Sequence, residues 1–452
     1  MSTRRVRRAH LLVRVVASLV LLWAAAPTSV HADLPKRELP DYDGRPEETT
    51  AGDVLLWIPR VILSPLYLVS EYVVRRPLGF LVSEAERLQL PEFLYDLFLF
   101  GPDHSAGLLP IAFLDFGFYP SVGLYFFYND FIPHQDLQVR GSTWGEHWLA
   151  GSVSDRIHID RVTDLVIAGS GTRRPDFQFF GIGPDTVRAD RSRYGASRLD
   201  GTMRLELQLG GLSRLSTGIG VRRVHFHRGG FDDDPTLEQA VRDGRYPLPA
   251  GHERGYTLLY NHLSLTIDTR QARPASGTGV RMEARVEQDS QLAPSANAGF
   301  LHYGASVGGF FDLGDRGRIV SLSFATQFVD PLRNDVEIPF TELASIGGGE
   351  SMRGFPMGRL YGRSSAVATL RYRWPVWIWL DGSIQLAVGN VFNEHLDGFS
   401  PKRLRLSAAI GIESVGSPDS SIELLFGVGS ETFEHGTQIT SLRLIVGSNH
   451  GF

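Results

Sequence analysis

The sequence predicts an all-β protein: a transmembrane antiparallel β-barrel of about sixteen strands, with a short helical segment ahead of it. Three observations lead there. Side chains alternate between apolar and polar from about residue 105 to the last residue. The alternating segments run about 9–12 residues, the length a tilted strand needs to cross a bilayer, against roughly 5–6 for an ordinary soluble strand. Aromatic residues gather at segment ends, in "FLDFGFYP", "GLYFFYNDF", "FQFFG" and "RYRWPVWIW", as girdles at two membrane interfaces require. A soluble β-sandwich also alternates, but segment length, the unbroken series and the girdles weigh against it.

Residues 1–32 read as an export signal. Arg4, Arg5, Arg7, Arg8 and Arg14 precede the apolar "VVASLVLLWAAA", and "VHA" has the small-x-small form of a cleavage site. Removing them takes away five arginines and no acid, so the formal net charge moves from -5 to -10. An acidic mature chain argues against a nucleic-acid partner. With no cysteine, neither a disulfide framework nor a thiolate metal site can form.

Residues 33–104 read as a periplasmic linker followed by an amphipathic helical segment. The polar, proline-containing stretch to residue 51 is the linker. "DVLLWIPRVILSPLYLVSEYVVRRPLGFLVSEAER" is apolar but broken by Pro59, Pro65 and Pro77, which implies two or three short helices. No run of eighteen uncharged apolar residues follows the signal, so a helical membrane span is not expected.

The barrel domain is expected over 105–452. In "TMRLELQL", Met203, Leu205, Leu207 and Leu209 share one face, and Thr202, Arg204, Glu206 and Gln208 the other. "VRMEARVE" sets Val280, Met282, Ala284 and Val286 against Arg281, Glu283, Arg285 and Glu287. The same period turns Leu404, Leu406, Ile410 and Ile412 outward, and Ile422, Leu424, Phe426 and Val428 likewise. Closure of such strands pairs every backbone group, which lipid demands. The final Phe452, after the strand "QITSLRLIV", has the form of an assembly signal for outer-membrane barrels.

"IPFTELASIGGGESMRGF" resembles the signature of the outer-membrane assembly-factor superfamily, the BamA/TamA-type barrels (bacterial surface antigen type) and their two-partner-secretion relatives. Further pieces resemble that family in order: "FFGIGPDT" with "RYG", "LTIDTRQARPASGTGVRMEARVE", "TLRYRWPVW", "LAVGNVF" and "GSPDSSIELLFGVG". The resemblance implies a loop entering the barrel from outside, with Gly348, Gly349, Ser351, Met352, Arg353, Gly354 and Phe355 as its motif. It implies that Arg353 lies against the polar inner wall, where a buried guanidinium needs acceptors. The family's partner aspartate falls on Ala387 here, and a second acidic position falls on Arg371. The period-two reading supplies substitutes: Asp381 and Gln385 share the face of Ala387, and Glu413 and Glu423 face inward on later strands. Whether Arg353 only staples the loop or also takes part in a transport step stays open.

The resemblance also implies a bacterial outer-membrane location and aid to polypeptide insertion or translocation. The expected partners are outer-membrane lipid, the barrel-assembly machinery during the chain's own insertion, and polypeptide substrates or a periplasmic subunit. The family's periplasmic POTRA domains have no counterpart between 33 and 104, and this keeps a structural or solute-diffusion barrel as the alternative. An enzyme is not expected: there is no Gly-x-Ser-x-Gly elbow. His225 and His227 share a strand face ahead of Asp232, Asp233 and Asp234, but two histidines supply only part of a metal shell. A solvated outer loop is the reading there, and no cofactor or metal is expected.

Overall fold

The computed structural model describes Arg87 and residues 97–146, 148–271, 277–293, 299–314, 317–349, 351–377, 380–415 and 422–448. The expected export signal, the linker, nearly all of the helical segment and Phe452 lie outside the described residues. In the N-terminal unit, which runs to Gly107, strand β1 (Leu99–Phe100) pairs antiparallel with Ala106 and Gly107 across a 3-10 turn at Pro102–His104. Among the described residues no helix is long and apolar enough to cross a membrane.

The remainder is built of strands. They are β2 (Ala106–Asp115), β3 (Ser121–Ile132), β4 (Gln135–Trp144), β5 (Trp148–His158), β6 (Thr163–Phe179), β7 (Ser192–Gly210), β8 (Ser213–Arg228) and β9 (Tyr256–Asp268). Then come β10 (Gly279–Ala293), β11 (Gly299–Asp312), β12 (Ile319–Pro331), β13 (Ala344–Ile346), β14 (Leu360–Gly362) and β15 (Ser364–Trp377). The last four are β16 (Leu380–Phe392), β17 (Arg405–Ser414), β18 (Ile422–Thr432) and β19 (Ile439–Ser448). Each barrel strand pairs with its successor, β12 with β15, and β19 returns to β2, so sixteen strands close into an antiparallel barrel. β13 and β14 form a separate two-stranded sheet inside one loop.

The outward face is apolar around the ring. Leu124, Leu149, Val153, Ile167, Met203, Leu205, Ile219, Leu263, Met282, Val307, Leu322, Phe324, Leu370, Leu386, Leu406, Leu424, Phe426 and Leu442 are all exposed. So continuous an apolar surface would be ruinous in water and is what a bilayer covers. Tyr303 stacks on Phe328 and Tyr372 on Trp374, their ring centroids 5.1 and 5.4 Å apart, near strand ends as girdles require. The outward belt places the barrel across a lipid bilayer.

Strand length departs from the expectation. β2, β4, β17 and β19 have 10 residues each, but β6, β7 and β8 have 17, 19 and 16. In the long strands the ladder continues past the alternating apolar core of the sequence, because hydrogen-bonded pairing needs no apolar face. Arg174 and Tyr194 of these extensions are buried by the loops beside them.

The longer connections emerge at one end, by their length the extracellular rim. The loop between β8 and β9 holds helix α1 (Leu237–Arg242), started by a capping box in which the Thr236 hydroxyl accepts from the Gln239 N–H. Loop residues fold back on the inner wall. The Phe340 ring lies 5.1 Å from Phe179, 5.1 Å from Tyr194 and 5.3 Å from Phe226, within one cluster that also takes in Tyr256, Phe300, Leu343 and Tyr361.

Candidate functional site

The loop between β12 and β15 descends against the inner wall. Its two arms pair as β13 and β14, Ser345 opposite Tyr361 and Ile346 opposite Leu360, which brings the ends of 347–359 together. Gly347 and Gly348 have φ of 115° and 77°, a region that residues with a Cβ adopt only under strain, so the turn needs them. Met352 and Phe355 are fully buried with Ile346, Leu360, Val367, Ala387 and Val391. Ala387, at the family's acidic position, thus packs against the apolar side of the loop. Gly349 and Ser351 are exposed, and the Ser351 carbonyl accepts from Thr369 Oγ1 at 3.3 Å.

Gly354 sits where two chains nearly touch. A Cβ there would overlap the Val428 carbonyl, and a Cβ on Gly429 would overlap the Phe355 ring. Its N–H donates to Ser407 Oγ and its carbonyl accepts from Ser441 Oγ, both at 2.9 Å. Glycines on both sides let loop backbone lie on strand backbone.

Arg353 is buried beside this contact. Its Nη2 donates to Glu423 Oε1, its Nη1 lies 3.7 Å from Glu413 Oε2, and its N–H donates to Gln385 Oε1 at 3.4 Å. Glu413 also accepts from Arg371 Nη2, so the arginine at the second substituted position shares an acid with the loop. Asp381 Oδ2 lies 3.4 Å from Arg373 Nε.

Three further arginines, none singled out from sequence, complete the site. Arg443 on β19 reaches Asp115 on β2 with Nη2 at 2.9 Å and Nε at 3.2 Å from both oxygens. The same guanidinium donates to the carbonyls of Arg353 and Gly348, each at 3.3 Å. Arg359 donates to the Thr186 hydroxyl at 2.9 Å and carbonyl at 3.1 Å, over the Phe180 ring. Arg405 joins Glu431 at 2.6 Å to the carbonyls of Pro184 and Thr186. The "FFGIGPDT" segment therefore docks on the base of the loop. A sequence signal for Arg443 existed: it is the one charged residue of the last described strand, on the inward face.

Arg443 matters because it sits where β19 meets β2. Among the described residues their register shows the pairs Ile445–Asp115, Val446–Leu114 and Gly447–Phe113. A further backbone bond runs from Phe116 N–H to the Leu444 carbonyl at 2.9 Å.

His225 and His227 lie on the outward face of β8, opposite to buried Val224 and Phe226, and Asp234 is held by Arg191 and Arg193. The solvated-loop reading of those acids thus gives way to ion pairing for Asp234. Above the aromatic cluster, His252 packs on Phe226 at 5.1 Å between ring centroids, its Nε2 3.5 Å from Glu238. Burial pushes its pKa below the usual 6.5, and Glu238 opposes this only in part. A detached loop therefore takes up the proton first as pH falls below about 6.5, and the packed loop loses stability from there downward. Limited proteolysis of 229–255 should be faster at about pH 5 than at neutral pH. His252→Phe should remove that dependence.

A model of the Omp85 superfamily domain matches residues 172–433. Among solved structures, BamA from Haemophilus ducreyi lacking POTRA domains 1-3 is similar with a TM-score of 0.52 at 16% identity, over 76% of this chain and 70% of that one. CdiB from Escherichia coli is similar with a TM-score of 0.50 at 14% identity, over 75% of this chain but only 62% of that one. At such identities the likeness is one of fold. No curated protein matches the sequence. With more than half of its length matched by that family model, including the inward loop and strands β15 to β18, the chain belongs to the Omp85 superfamily, and its barrel lies in the bacterial outer membrane.

Proposed function

We propose that this barrel inserts or translocates polypeptides at the outer membrane, parting at the β2–β19 seam, with the 347–359 loop as the element coupled to that seam. The observation that carries the reading is Arg443. One buried guanidinium bridges the β19–β2 seam through Asp115 and grips the loop through two carbonyls. Any movement of the loop is thereby felt at the seam. Family membership supports an insertion or translocation role in general. The partners in this reading are outer-membrane lipid, polypeptide substrates and a periplasmic subunit, and the barrel-assembly machinery serves the chain's own insertion.

The aromatic packing of outer loops on the inner wall weighs against an open diffusion channel. In planar bilayers the intact protein should conduct poorly, and deletion of 346–363 should open a wide pore. Steady solute flux through the intact protein would favour the diffusion barrel instead. Depletion in cells, followed by an inventory of the outer membrane, should show selective loss of particular clients. An unchanged inventory speaks against the assembly role.

A further inference from the structure

We infer that Glu287, Asp289 and His302 form a binding site for a divalent transition-metal cation of the zinc type on the inner wall of the barrel. Glu287 and His302 stand directly opposite each other in the β10–β11 register, and Asp289 lies two residues along on the same face. One ligand atom from each falls within 4.8 Å of the others. His302 Nδ1 is 3.9 Å from Glu287 Oε1 and 3.9 Å from Asp289 Oδ2. Those separations are too long for hydrogen bonds. They are close to the spacing of about 3.3–3.6 Å that a tetrahedral ion with bonds of about 2.0–2.2 Å sets between its ligands, so small side-chain rotations suffice.

The second observation is independent of the clustering. Asp289 is 0% exposed, and among the described residues both of its carboxylate oxygens lack a hydrogen-bond partner, as does His302 Nε2. A buried carboxylate without donors is costly, and a bound cation is the group that offsets the cost. The neighbouring guanidinium is committed elsewhere: Arg222 reaches Glu342 at 2.7 Å and Asp200 at 3.0 Å, with Glu287 farthest at 3.4 Å. Glu287 can turn to a metal while Arg222 keeps its other two acids.

The donor set selects the metal. One imidazole and two carboxylates suit zinc-type ions with a fourth position left for water. Calcium and magnesium prefer all-oxygen shells of six or more ligands. Phe300, paired with Asp289 and fully buried, closes one side of the site and keeps its dielectric low.

The test uses tag-free protein in detergent, stripped with a chelator and titrated with Zn²⁺ by calorimetry, with folding checked by circular dichroism. A single saturable site is expected. Asp289→Asn keeps the shape of its side chain, and it should weaken binding at least about tenfold. His302→Gln should do the same, and the His225→Ala/His227→Ala double variant should bind as the wild type does. Absence of saturable uptake overturns the assignment. So does uptake that survives both inner-wall substitutions, or uptake lost with the two outward histidines.

Discussion

Arg353→Ala should lower the stability of the folded barrel by about 3–5 kcal/mol, the cost of leaving a buried acid without its counterion. Glu423 is 3% exposed and accepts from the Arg353 guanidinium, so removing the arginine takes this counterion from a buried carboxylate. Glu413 suffers less because Arg371 still reaches it. Arg353→Lys should fall between, since an ammonium can satisfy one acid but not span two. The measurement is the urea midpoint of the heat-modifiable folded form in detergent. A double-mutant cycle with Glu423→Gln isolates the pair, and a coupling below about 0.5 kcal/mol would refute its importance.

Arg443→Ala should act on the seam. It leaves Asp115, 3% exposed, without its guanidinium and releases the carbonyls of Gly348 and Arg353. The direct cost is again about 3–5 kcal/mol, but its location differs, since Arg443 and Asp115 lie on the two strands, β19 and β2, that close the barrel. The chain has no cysteine, so Leu114→Cys with Val446→Cys places one outward pair of thiols across the seam. Disulfide formation should be nearly complete with Arg443 present and fall sharply with Arg443→Ala. An undiminished yield would show that backbone pairing alone keeps the wall shut.

Much of this architecture could be read from period two. Met203, Leu205, Met282, Leu424 and Phe426 face outward as their alternation requires, because the bilayer rewards every apolar side chain on that face. The inward parity of Glu413 and Glu423 was legible for the same reason. What sequence does not carry is register. Which residue of β2 meets which of β19 depends on how the whole ring closes, so Asp115 and Arg443, 328 residues apart, had no visible relation. The cross-strand pairing of Glu287 with His302 was hidden likewise. Parity put Asp381 on the face of Ala387, and the neighbouring strand, which parity does not reveal, brings Arg373 to 3.4 Å from its carboxylate. Arg359 and Arg405 depend on a loop, 180–187, whose path no periodicity describes.

The unequal strands bear on the surrounding lipid. At about 3.3 Å per residue and a tilt near 40°, the 10-residue strands β2, β17 and β19 give a wall roughly 25 Å high, whereas β6 to β8 stand roughly 40–48 Å. A hydrocarbon layer of about 30 Å is matched on the tall side and too thick on the short one. Acyl chains next to β2 and β19 must therefore compress, at fractions of a kcal/mol per ångström of mismatch. The low flank of the cylinder is also the flank that Arg443 and Asp115 bridge, so the compressed lipid borders the two strands which that ion pair joins.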